Sequence, residues 1–98
     1  MGDKNWLQKR EPISASSVSK ARHYFEAMLE IGLKRHGDGE FVSTMEMLGA
    51  VTEEFHEFVR AIHAKDQSLI KEEALDIMVS AFWVVASLEN WKDRRGDA

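Results

Sequence analysis

From Ile77 to Leu88 the chain runs for twelve residues without a charge, and the six residues before it, Lys71-Glu-Glu-Ala-Leu-Asp76, hold three acids. A run of twelve is too short for a bilayer, which needs about 20 apolar residues, so it belongs inside protein. It has no alternation of period two, and its apolar groups cover every side of a helical projection. That pattern predicts a helix enclosed on all sides. The acids at its entrance then need an explanation, because an ionised carboxylate at the border of an apolar interior is costly unless something neutralises it.

The rest of the chain supplies helices to enclose it. Ser43-Thr-Met-Glu46 has the S-x-x-E form of a capping box, so Ser43 is the expected N-cap of a helix. Met45, Leu48, Val51, Thr52, Phe55, Phe58, Val59 and Ile62 form its broad apolar face. The pattern breaks at Ala64-Lys-Asp-Gln-Ser68, where Asp66 can cap a further helix from about Gln67 to Glu89 or a little beyond. An earlier helix is predicted to start in the Ser14–Ser17 cluster and to stop at Gly37 and Gly39. Val18, Ala21, Phe25, Met28, Leu29 and Gly32 line its apolar face, and Lys34, Arg35 and His36 occupy its last turn. The predicted fold is all-α: an N-terminal helix plus an antiparallel helical hairpin, oligomerising into a four-helix-bundle core. Residues 1–98 read as a single domain, with 1–13 a polar leader around the lone Pro12 and 92–98 a frayed tail.

Composition narrows the function. The chain has 98 residues, 44% of them hydrophobic and 31% charged. Such a chain folds, but it buries too little surface to be indifferent to pairing with a copy of itself. Its net charge of −4 argues against a nucleic-acid polymer as partner. The absence of cysteine excludes disulfides and thiolate metal sites and suggests a cytoplasmic setting. The first residues lack the apolar core of a signal peptide, and no membrane partner is expected.

The acids fall at helical spacing. Glu54 and Glu57, three residues apart, share one flank of the second helix, with Ala50 and Ala61 at similar angles. Glu73 and Asp76 repeat that step on the third, on a stripe continued by Ser80 and Ser87. An antiparallel hairpin brings the two pairs face to face, where a divalent cation would relieve their repulsion. A donor set made only of oxygen selects Mg²⁺ or Mn²⁺ over zinc or copper.

Glu53-Glu54-Phe55-His56-Glu57, followed after a 15-residue connection by Glu73-Ala74-Leu75-Asp76, resembles the E-E-x-x-E … E-x-x-D signature of the MazG-like all-α nucleoside triphosphate pyrophosphohydrolases. The resemblance covers the second and third helices. It implies a Mg²⁺-dependent hydrolase that releases a nucleoside monophosphate and pyrophosphate, cleans the nucleotide pool and forms a homodimer or tetramer. It implies Glu54, Glu57, Glu73 and Asp76 as metal ligands, with Glu53 as a further ligand or as the group orienting the attacking water. Glu53 and Glu54 are thus the candidate catalytic residues. Lys34, Arg35, Arg60, Lys65 and Lys71 are candidates for the phosphates, with Lys71 favoured because it lies half a turn before Glu73. Phe25, Phe82 or Trp83 would line a base pocket, and Asn90 would bond a sugar or base.

Two other readings compete. Glu53-x-x-His56 has the form used in di-iron bundles, but such sites need two E-x-x-H elements. Lys20, Leu33 and Arg60 stand three residues before His23, His36 and His63, so no second element exists. The alternative from a different class is a non-enzymatic dimerisation or adaptor module, its acids vestigial.

Overall fold

The computed structural model describes residues 10–95. Only 10–13 of the polar leader and 92–95 of the expected tail therefore fall within it; residues 1–9 and 96–98 lie outside the described residues. Three helices follow one another, α1 (Ala15–His36), α2 (Thr44–Ala64) and α3 (Gln67–Arg95), with no strand among the described residues.

The helix ends follow local chemistry. The Ser17 N–H donates to Oγ of Ser14 at 3.0 Å, and the Glu46 N–H donates to Oγ of Ser43 at 3.1 Å. Each such cap is worth about 1 kcal/mol. In the usual capping box the return bond goes to the N-cap residue itself. Here it reaches one residue further, since Glu46 Oε1 accepts from the Val42 N–H at 2.8 Å. Gly37 ends α1 at φ 78°. A positive φ of this kind costs glycine no strain. Lys65 takes the same role after α2 at φ 57°, and the Leu69 N–H then donates to Asp66 Oδ1 at 3.1 Å to open α3.

α3 is the shared partner: α2 packs along it as a hairpin and α1 lies against it, while α1 and α2 make no close backbone approach. On the α1 side, Phe25 meets Phe82 edge to face at 5.7 Å, and Gly32 lies over Val79. Edge-to-face contact sets the positive rim of one ring against the negative face of the other.

Two burial expectations are corrected. The second half of α3 is not enclosed on all sides, for Met78, Ala81, Phe82, Val85 and Leu88 form an exposed stripe. The broad face of α2 divides in the same way. Val51 and Phe58 turn toward the chain's own interior together with Met47 and Ala61 from outside that face, whereas Met45, Leu48, Phe55 and Ile62 stay 44–72% exposed. The reason is geometric: one neighbour covers only part of a helix, and a single copy supplies no second neighbour for those faces.

α3 runs past Glu89 to Arg95, so residues 92–95 of the tail expected to fray are helical instead. Its last turns are tied down. The Trp91 Nε1–H donates to the Phe41 carbonyl at 3.1 Å, and Arg94 forms an ion pair with Glu40 at 2.8 Å.

Candidate metal centre

The hairpin register places α2 against α3 so that Glu54 meets the first half of α3. Glu54, Glu73 and Asp76, all half-buried, each offer a carboxylate oxygen within 4.8 Å of the others. No other trio of His, Asp or Glu side chains among the described residues comes together in this way. Glu57 lies near enough for its charge to act on Glu54 and Glu73, but its Oε1 is paired with Arg60 at 3.0 Å. Glu53 is exposed and opens onto a shallow groove on the outer side of α2, beside His56, Met45 and Leu48. The Glu53–His56 pair thus belongs to no metal-like group among the described residues.

The cluster is electrostatically unfavourable. Desolvation holds the Glu54 carboxyl above its ordinary pKa, and the charges of Asp76, Glu53 and Glu57 raise it further. Glu73 is raised for the same two reasons, burial first and the neighbouring Asp76 next. Such a group either binds protons or binds a cation, and its all-oxygen donors suit a hard divalent ion.

Glu54 and Asp76 border a cavity of about 290 Å³ whose opposite wall is α1, at Met28, Ile31, Arg35 and His36. A second cavity of about 420 Å³ lies alongside and shares Gly32, His36, Val79 and Ser80 as a common wall. Leu29, Phe41 and Trp83 give it apolar surface. A Cβ added to Gly32 would rest 3.7 Å from Val79 Cγ1, so a longer side chain there would enter the shared wall.

The remaining residues expected at the site are dispersed. Trp83 lines the larger cavity, but its Nε1–H donates to the Gly39 carbonyl at 2.7 Å, leaving only its ring face to a ligand. Asn90 Nδ2 donates to Glu40 Oε1 at 2.8 Å and borders a different cavity from the acids. Lys71 Nζ sits 3.8 Å over the ring of Tyr24 and lines neither cavity beside the acids. There the ring's negative face attracts the ammonium. Phe25 packs on Phe82.

Sequence reasoning missed the loop between α1 and α2. Gly39, Glu40 and Phe41 form a wall of the larger cavity and are strapped to α3 by Trp83, Ser87, Asn90, Trp91 and Arg94. The spacing of these side chains along one face of α3 was a readable signal; that their partners lie some fifty residues earlier was not.

Residues 43–95, over half of the 98-residue chain, match the family model described as the MazG nucleotide pyrophosphohydrolase domain. The matched span contains α2, α3 and all five acids, while α1 precedes it. Neither a curated protein nor a solved structure matches the chain.

Proposed function

The chain belongs to the MazG nucleotide pyrophosphohydrolase family, and from that premise we propose that it hydrolyses a nucleoside triphosphate at the α–β bond, releasing a monophosphate and pyrophosphate. The observation that carries this reading is the convergence of Glu54, Glu73 and Asp76 oxygens within 4.8 Å, with Glu54 and Asp76 at the wall of a cavity. Three half-buried carboxylates whose charges oppose one another fit a divalent cation, with Mg²⁺ the first choice and Mn²⁺ the second. Glu57 would join them once its carboxylate leaves the exposed Arg60. When bound, the cation would supply charge neutralisation on the phosphate oxygens, the main demand of this reaction.

The protein's own groups do the rest. Glu54, bordering the cavity, orients the attacking water and accepts its proton better than Glu53, which opens onto the outer groove. Glu53 adds negative charge beside it. The larger cavity takes the base, against the ring face of Trp83 and the apolar side chains of Leu29 and Phe41. The uncovered stripes of α2 and α3 serve as the interface for a second copy, which completes a four-helix core. Clearing unwanted nucleotides from a cytoplasmic pool is the role this activity suits.

A panel of nucleoside triphosphates with Mg²⁺ or Mn²⁺, with pyrophosphate and orthophosphate measured separately, tests the reading. Pyrophosphate release that disappears in Asp76→Asn is expected. Orthophosphate alone would place the cut elsewhere, and silence across the panel would leave a helical interaction module.

A further inference from the structure

We infer that Arg35, at the C-terminal end of α1, is the residue that positions the triphosphate opposite the acidic cluster. This rests on the hydrolase reading above and adds a residue that the family match does not reach, since Arg35 precedes the matched span 43–95.

A triphosphate carrying one divalent cation keeps net negative charge, so the wall facing the acids needs a cation that is not itself a metal ligand. Five basic side chains are within reach by sequence, and the fold disposes of four. Lys71 rests on the Tyr24 ring, and Arg60, exposed on α2, borders neither cavity beside the acids. Lys65 caps the far end of the hairpin, and Lys34, exposed like Arg35, borders neither cavity beside the acids. Arg35 alone of the five lines the cavity that holds Glu54 and Asp76. It makes no ion pair among the described residues, so its guanidinium is available to a ligand. His36 continues the same wall into the neighbouring cavity, where the base is placed. A guanidinium presents a planar fork of donors that matches two phosphate oxygens at once, which an ammonium cannot do.

Steady-state kinetics and thermal melts of the full chain test this, using whichever triphosphate the wild-type protein hydrolyses best. Arg35→Ala should raise KM about tenfold or more, as expected for loss of a charge-assisted bond, with a smaller change in kcat. The melting shift produced by Mg²⁺ alone should be retained, which shows that the acids and the fold are intact. Arg35→Lys should recover part of the loss, and Lys34→Ala, removing the same charge one residue away, should leave KM within about twofold. An Arg35→Ala enzyme with wild-type KM, or an equal rise in Lys34→Ala, overturns the assignment while leaving the hydrolase reading in place. A wild-type protein that neither hydrolyses a triphosphate nor shifts its melt with one overturns both.

Discussion

Glu54 of α2 and Asp76 of α3, 22 positions apart in the chain, bring carboxylate oxygens within 4.8 Å across the hairpin interface. With both carboxylates ionised this contact is repulsive, and a bound cation would make it a clamp between the two helices. Saturating Mg²⁺, at a hundredfold excess over its Kd, should therefore add about 2.7 kcal/mol. In a domain of this size that is a rise in melting temperature of roughly ten to twenty degrees. Asp76→Asn should lose most of that gain and lower turnover by about a hundredfold or more. Its metal-free form should melt no lower than the wild type, because a like charge has been removed. Scanning calorimetry with and without EDTA decides the point.

The same cluster sets a pH dependence whose sign follows from the direction of the shifts. The Glu54 and Glu73 carboxyls titrate above their ordinary values in the folded protein. Folded protein thus holds protons that the unfolded chain has released, so the contribution of these two groups to metal-free stability is greatest below the ordinary carboxylate pKa. It falls as pH rises through the raised values. With Mg²⁺ present the trend should reverse over that window, since the ligands must be deprotonated to bind. Melts across mildly acid to neutral pH would show two curves of opposite slope, and Glu54→Gln should flatten the metal-free one.

Ser87 carries a structural load out of proportion to its size. It is 2% exposed, and its Oγ accepts from the Phe41 N–H at 3.0 Å, anchoring the loop that walls the larger cavity. Ser87→Ala would leave that N–H without this partner and should cost about 1–3 kcal/mol. Urea unfolding should show a lower midpoint at unchanged slope. Substrate KM should rise as well, because a loosened Phe41 no longer holds the wall of the cavity in place.

The uncovered faces predict association. Leu48 and Phe55 on α2 are 60% and 52% exposed, and Val85 on α3 is 60% exposed. A second copy laid over them would remove that apolar surface from water. Sedimentation should find the wild-type chain as a dimer or larger, and Phe55→Glu with Val85→Glu should shift it toward monomer with a lower melting temperature. A wild-type chain that sediments as a monomer at high concentration would refute this.

Much of this molecule is legible locally. Ser14, Ser43 and Asp66 each cap a helix because a short side-chain oxygen next to a free N–H needs no distant partner. The i, i+3 acids and the short turn between α2 and α3 are likewise local facts, and an antiparallel hairpin follows from them almost by necessity. Which face of α2 is covered is not local. A face wide enough to read as apolar throughout was divided by where α3 lies, and Met47, outside the expected face, became one of its most buried residues.

Sequence by itself determined three helices, the caps that start them and the acidic steps on α2 and α3, because capping, periodicity and turn length act over a few residues. Tertiary structure alone decided that Lys71 settles on Tyr24, that Arg35 lines the cavity bordered by Glu54 and Asp76, and that Glu40 is held by Asn90 and Arg94. Those outcomes depend on the direction in which α1 and its loop cross α3. That direction is fixed by close packing between residues far apart in the chain, such as Gly32 on Val79 and Phe25 on Phe82, and no local pattern encodes it.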